Sequence, residues 1–202
     1  MKKAITHLKA ADPVLGRIID AVGPYRMTYK EPDFTALVQS IVYQQLSGKA
    51  AFTIYTRLEK AVARAGKLSP RAILKMEVDE LRAFGLSQGK AKYVLDLAAK
   101  TASREVNFGK LAEMSDEEVV KHLTKVKGVG VWTTHMFLMF AMRRPNVLPV
   151  GDLGIRAAMK KAYGLAELPK PDEMEEIARG WHPYCTVACW YLWRSLDGPA
   201  AL

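Results

Sequence analysis

Cysteine is scarce: the 202 residues hold two, Cys185 and Cys189, four apart in a stretch that reads as helix. They fall on one face one turn apart, a poor geometry for a disulfide and too few ligands for a structural zinc or an iron–sulfur cluster. Two small buried or half-buried thiols are expected. Long apolar runs are also missing. No segment approaches the roughly 20 residues that span a bilayer, so no membrane partner is expected. Met1-Lys2-Lys3-Ala4 is followed by His7 and Lys9, not by the apolar stretch of a signal peptide. An intracellular location is therefore expected, cytoplasmic or nucleoid in a prokaryote and nuclear in a eukaryote. Acidic charge is in deficit, 21 residues against 30 basic ones, for a net charge of +9. That surplus favours a polyanionic partner, because each phosphate contacted releases condensed counterions. Basicity alone does not establish one.

Strand patterns, hairpin turns, low-complexity tracts and internal repeats are absent, and what remains reads as helix. Asp33 precedes a 3.6-period apolar stripe of Phe34, Leu37, Val38, Ile41 and Val42, in the position of an N-cap. Ser47 can cap a helix that stops at Gly66. Asp12-Pro13 and Ser69-Pro70 each pair an N-cap with an N1 proline. Ser87 opens a segment with Ala91, Val94, Leu95 and Ala98 on one face. Ser115-Asp116-Glu117-Glu118 reads as a capping box. Further helices are expected over Val131–Met142, Leu153–Tyr163, Asp172–Ala178 and Thr186–Leu196, with glycines 85, 164 and 180 at helix ends. The fold class is all-α. Half the chain is hydrophobic, enough for one compact unit or two small lobes sharing a cleft. The turn-rich stretch from Arg143 to Gly151 is where such lobes would meet, and clefts between lobes are favoured ligand sites.

The most informative segment is Leu123-Thr124-Lys125-Val126-Lys127-Gly128-Val129-Gly130-Val131-Trp132-Thr133-Thr134. A helix ends, two glycines bracket a valine, and an apolar helix begins. Glycine permits positive φ and lets another backbone approach, and the new helix points unpaired N–H groups outward as an anion site. Lys125, Lys127, Gly128, Val129 and Gly130 could thus grip a DNA phosphate. An ordinary helix–turn–helix connection has the same spacing.

Preceded by Leu123, and followed after a helix by Leu148-Pro149-Val150-Gly151-Asp152, this segment resembles the helix-hairpin-helix plus Gly/Pro-rich loop plus Asp signature of the base-excision DNA glycosylases. About two dozen residues separate hairpin and carboxylate, as that signature requires. Ile41-Val42-Tyr43-Gln44-Gln45-Leu46-Ser47 resembles the family's minor-groove turn. Gly85-Leu86-Ser87-Gln88-Gly89-Lys90-Ala91-Lys92 resembles its next loop, and Trp181-His182-Pro183-Tyr184 through Trp193 its terminal helix. The resemblance implies a single glycosylase domain over residues 1–202 with two helical lobes around a central cleft. Lobe A spans about 34–148 and contains the hairpin at 123–134; lobe B spans about 1–33 plus 149–202.

Strand-cleaving members of the superfamily carry a lysine two residues after the second hairpin glycine. Trp132 stands there, so no amine nucleophile is offered at that position. With the four spaced cysteines of the iron–sulfur branch also missing, the chain resembles the short form of the 3-methyladenine DNA glycosylase II branch. This implies a monofunctional hydrolase acting on double-stranded DNA with alkylated bases, as a monomer, with no required cofactor and no iron–sulfur cluster.

The resemblance also distributes roles. Gln45 is the preferred plug for the void left by a flipped nucleotide, with Leu46 in reserve and Gln44 in the same turn; Leu46 could equally be core. Trp132 and Trp193 would face the flipped base, which as an N3- or N7-alkylated purine is cationic and attracted to an indole face by about 0.5–2 kcal/mol. Tyr43 is divided between core and cleft, and Met136 could line the pocket or simply pack. Such a base leaves readily, so no general acid is required, and none is evident. Asp152 would stabilise the oxocarbenium sugar and direct water; on its own it is an ordinary N-cap. Backbone carbonyls of Thr124, Val126 and Val129 would hold a structural Na⁺ or K⁺ at the hairpin.

One departure stands out: Pro183-Tyr184-Cys185-Thr186 lacks the arginine the family often carries there. His135 and His182 have no metal-ligand partners at suitable spacing and read as structural or surface residues. Arg156, Lys160 and Lys161 could meet phosphates or solvent. Two alternatives stay open: a glycosylase for a neutral oxidised, deaminated or mismatched base, and a non-catalytic helix-hairpin-helix DNA-binding module.

Overall fold

A computed structural model describes residues 1–62 and 67–196; Gly66, expected to stop a helix, lies outside them. The described chain is all-α and divides into two compact units, residues 1–29 with 143–202 and residues 30–142. The first unit opens with α1 (Lys2–Ala11) and α2 (Pro13–Val22). The second unit is continuous in sequence. It contains α3 (Phe34–Tyr43), α4 (Gly48–Val62), α5 (Pro70–Ile73), α6 (Val78–Ala83), α7 (Gln88–Ala102), α8 (Asp116–Leu123) and α9 (Val131–Phe140). The chain then returns to the first unit with α10 (Leu153–Tyr163), α11 (Pro171–Ala178) and α12 (Cys185–Arg194). No described helix is long and apolar enough to cross a membrane.

The helix starts follow local chemistry. Side chains of Asp12, Asp33, Ser69, Ser87, Ser115 and Asp152 each accept a backbone N–H from the first turn that follows, satisfying donors with no intrahelical partner. Ser115 and Glu118 complete both halves of a capping box. Gly164 ends α10 in the left-handed conformation at φ +66°. Gly180 instead sits inside a short 3-10 turn, Arg179–Trp181.

In the first unit, α2 and α12 pack on each other and on α1 and α10, burying Leu8, Leu15, Ile155, Trp181 and Tyr191 completely. Asp12 ties this core together. Its carboxylate caps α2 and accepts hydrogen bonds from Tyr163 Oη at 2.5 Å and Trp181 Nε1 at 2.8 Å. Burial alone would raise its pKa, but the bonds from Tyr163, Leu15, Trp181 and Val14 outweigh that and hold it below the usual carboxylate range. In the second unit α3 is central, packed on α4, α7 and α9, with Leu37, Val38, Ile41 and Val42 fully buried. Such a helix is apolar on most of its circumference because it has neighbours on most sides.

Both cysteines are free and buried. Burial pushes the Cys185 thiol up to about 12, leaving it protonated and inert.

Candidate active site

The hairpin joins α8 to α9 with two buried feet, Val126 and Val129, between exposed Lys125, Lys127, Gly128 and Gly130. Its two glycines have different reasons. Gly128 adopts φ +77°, and a Cβ there would lie 2.1 Å from the Tyr93 ring. The fold itself therefore demands glycine. At Gly130 φ is −97° and nothing lies within 4 Å of the Cβ position. The protein leaves that space open, beside the start of α9, and Gly130 brings no side-chain acceptor to cap the helix. An oxyanion can approach where a side chain would intrude.

Two residues on α7 fix the hairpin. Asp96 Oδ2 accepts the Lys127 N–H at 2.8 Å and holds the Lys100 ammonium at 3.0 Å. Lys100 Nζ in turn donates to the Lys125 carbonyl at 2.6 Å. Sequence reasoning missed both; their only trace is an acid–base pair at i, i+4, usually a solvated surface pair.

The turn after α3 is fastened to the same frame. Lys90 Nζ donates to the carbonyls of Val42 at 2.8 Å and Gln44 at 2.5 Å, satisfying acceptors at the helix end. Gln44 does not join its neighbours as a candidate plug. Its amide turns inward and donates to Gly128 O at 2.9 Å and Thr133 Oγ1 at 3.0 Å. Gln45 takes φ +54°, uncommon for a side-chain-bearing residue, and is exposed. Leu46 is also exposed, at 40%, so it is not core.

Trp132, Tyr43 and Met136 line one cavity of about 240 Å³ in the second unit. Below the ~300–1,000 Å³ of drug-sized ligand sites, it is on the scale of a single nucleobase. Phe137 and Phe140 add apolar wall, but Gln39, Ser40, Thr133 and Lys30 are also there. The cavity is thus aromatic in part, with polar side chains beside the rings. Gln39 and Ser40 lie on α3 among apolar residues, where one sequence gives no sign of which partner they face. Lys30 was missed altogether.

Trp193 is not among the residues lining this cavity. It stands in the first unit, half-buried on α12, and its Nε1 donates to Asp152 Oδ1 at 2.9 Å. Asp152 is only 7% exposed and heads α10, where the same oxygen accepts the Ile155 N–H at 2.8 Å. The indole N–H and the first-turn backbone N–H thus converge on one carboxylate oxygen. Gly154 leaves room for the arrangement: a Cβ there would lie 3.1 Å from both Asp152 Oδ1 and Trp193 Cδ1, so one of them would have to give by a few tenths of an ångström. Trp190 and Tyr191 instead meet the Tyr25 ring in tilted contacts. Asp152 is therefore a helix cap, and also a buried carboxylate fixed from a second direction by an indole.

Arg156 Nε donates to the Pro169 carbonyl at 2.9 Å, which fixes it locally. His135 is half-buried, with its pKa lowered by burial, and His182 is exposed. No group of three or more His, Cys, Asp or Glu suited to a metal occurs among the described residues.

Residues 38–183 match the family described as HhH-GPD superfamily base excision DNA repair protein. The chain is 33% identical over 201 residues to DNA-3-methyladenine glycosylase 1 of Schizosaccharomyces pombe, covering 96% of this chain and 87% of the relative. It is 31% identical to the putative DNA-3-methyladenine glycosylase YfjP of Bacillus subtilis, covering 81% of this chain but spanning only 59% of that longer relative. Among solved structures, S. pombe 3-methyladenine DNA glycosylase (Mag1) in complex with abasic DNA superimposes with a TM-score of 0.87 at 32% identity, covering 98% of each chain.

Proposed function

Because the chain belongs to the HhH-GPD superfamily of base excision DNA repair proteins, we propose that it is a DNA glycosylase that hydrolyses the N-glycosidic bond of alkylated purines such as 3-methyladenine in double-stranded DNA, with Asp152 as its catalytic carboxylate. The observation that carries the reading is the fixed, buried carboxylate of Asp152, held on one oxygen by the Ile155 N–H and by Trp193 Nε1. A plain cap has no need of the second donor or of a glycine that makes room for it.

The roles divide between the units. In the second unit, Lys125, Lys127 and the amides beginning α9 hold a backbone phosphate, while Gln45 and Leu46 fill the gap left by the extruded nucleotide. The base enters the cavity of Trp132, Tyr43 and Met136, where aromatic faces attract a formally cationic alkylpurine. In the first unit, Asp152 stabilises the oxocarbenium ion as the bond to the base breaks, and takes a proton from the water that attacks C1′. Trp193 holds that carboxylate in place; it is a positioning residue.

The carbonyls of Thr124, Val126 and Val129 would hold a Na⁺ or K⁺ at the hairpin. Main-chain oxygens suit a hard monovalent cation, and the Val126 carbonyl, which accepts the Val129 N–H at 3.1 Å, has a second lone pair to offer. The ion would supply positive charge beside the phosphate.

Base release from methylated duplex DNA, resolved by base identity, tests the reading. Wild type releases 3-methyladenine; Asp152→Asn, which keeps the size and loses the charge, is slower by about 10²–10³-fold. Near wild-type release by Asp152→Asn sinks the assignment, and salt-sensitive binding with no release by wild type points to a binding module. With Trp132 where strand-cleaving relatives carry lysine, the abasic product stays uncut. Borohydride, which traps a sugar–amine adduct, yields no covalent complex; an adduct would mark an amine, Lys30 included, as a strand-cleaving nucleophile.

A further inference from the structure

A base that is already cationic leaves its sugar as a neutral molecule. A neutral alkylated purine cannot: the electron pair of the C1′–N9 bond goes to the ring, and without a proton the leaving group is an anion. A cavity built for cationic bases alone has no use for an ammonium group, and repels its own substrate if it contains one.

The cavity of the second unit contains one. The Lys30 N–H donates to the Phe140 carbonyl at 2.9 Å, which pins this residue to the end of α9. From there its Nζ reaches 5.7 Å from the centre of the Tyr43 ring, and the side chain lines the cavity with Gln39, Ser40, Trp132, Thr133 and Met136. Lys30 as a residue remains exposed, but its partial burial costs the ammonium some hydration and lowers its pKa from the usual lysine value, making it a readier proton donor. Of the lining side chains, Lys30 and Tyr43 alone carry a titratable proton.

Building on the glycosylase reading above, we propose that Lys30 is a second catalytic residue, a general acid that lets this cavity release neutral alkylated purines. As the C1′–N9 bond breaks, its electron pair passes into the base and the Lys30 ammonium gives a proton to a ring nitrogen. The base leaves neutral and Lys30 is left as an amine. Water adds to C1′ of the oxocarbenium sugar, its proton goes to Asp152 and on to solvent, and solvent recharges Lys30. A cationic base uses the same cavity without that proton, against the charge of Lys30.

The two substrate kinds therefore respond in opposite directions to one substitution. Single-turnover excision is measured on duplexes carrying one 1,N6-ethenoadenine (neutral) or one 7-methylguanine (cationic). In Lys30→Met, ethenoadenine release falls about 100-fold and 7-methylguanine release rises about threefold as the like charge disappears. Lys30→Arg, which keeps charge and donors but cannot give up a proton, is as slow as Lys30→Met on ethenoadenine. Equal losses on both lesions would instead make Lys30 a phosphate contact or a structural residue, and overturn the proposal. Full ethenoadenine activity in Lys30→Arg overturns it as well, as does a loss that follows Tyr43→Phe and spares Lys30→Met. If wild type removes 7-methylguanine but not ethenoadenine, the proposal fails while the glycosylase reading stands. If wild type removes neither and leaves 3-methyladenine in place, it is the glycosylase reading that fails.

Discussion

Asp152 and Trp193 show how much one hydrogen bond can decide. Both residues stood out in the sequence, one as a cap and one as a face for the base, but nothing in their spacing joined them. The bond joining them crosses 41 positions, and Gly154, where a Cβ would lie 3.1 Å from both residues, leaves it room. Trp193→Phe keeps the ring and removes the donor. Its expected effect is a fall in kcat of about 10–100-fold with little change in KM, because a misaligned carboxylate weakens the transition state more than ground-state binding. A rise in KM at constant kcat would return Trp193 to the role of base contact. The hairpin glycines make a second comparison. Gly128→Ala meets Tyr93 and a positive φ, so melting temperature drops, corresponding to about 1–3 kcal/mol. Gly130→Ala leaves melting unchanged and weakens duplex affinity. Equal melting losses in both variants would refute the view that Gly130 makes room for a ligand.

At the scale of elements, α10 runs over Leu153–Tyr163 as its pattern indicates, since an aspartate cap and a closing glycine bound it on both sides. The expected helix from Val131 to Met142 stops at Phe140 instead. The next two residues still point their N–H groups at Phe137 O, so the ending is a widened turn with an i→i−5 bond and no stop residue to announce it. Helix α8 carries a pH response. His122 Nε2 accepts the Asn107 N–H at 2.9 Å, which needs the neutral ring, and burial followed by the Lys125 charge lowers its pKa from 6.5. Burial likewise lowers His135 on α9. Below the unfolded value the unfolded chain takes up protons that the folded chain refuses. Stability is therefore full above about pH 6.5 and is lost as pH falls below it. Thermal melts between pH 7.5 and 5 should show that loss, and His122→Gln should flatten part of it. An unchanged slope in His122→Gln would assign the acid sensitivity elsewhere.

For the whole molecule, the sequence carries the net charge of +9, but not which cations remain available to DNA. Several are committed to the protein itself. Lys90 closes α3, Lys100 holds the hairpin and Arg156 binds a carbonyl, whereas Lys125 and Lys127 stay exposed. Duplex affinity should fall linearly in log–log form with salt, and Lys127→Gln should reduce the slope by about 0.9 for one lost phosphate contact. An unaltered slope would place the phosphate away from the hairpin. The all-α class, the caps and the hairpin were legible because each is written within a few neighbouring residues. Lys30, Asp96, Lys100 and the inward amide of Gln44 were not. Their partners lie far along the chain, and a lone lysine before Glu31-Pro32-Asp33 reads like any solvated residue.

The first unit is discontinuous in sequence, and that imposes an order on synthesis. Asp12 receives its bond from Trp181 across 169 positions, and Gly23 its bond from Tyr191 across 168. Leu8 and Leu15 leave the ribosome well before residues such as Trp181 and Tyr191 that complete this core. The continuous stretch from 30 to 142 can complete its own core while the rest is still being translated. Until α12 is made, the nascent chain thus carries two amphipathic helices without that partner. A truncated product ending before α12 would keep that apolar surface exposed, a signal by which chaperones and proteases can tell an unfinished chain from a finished one.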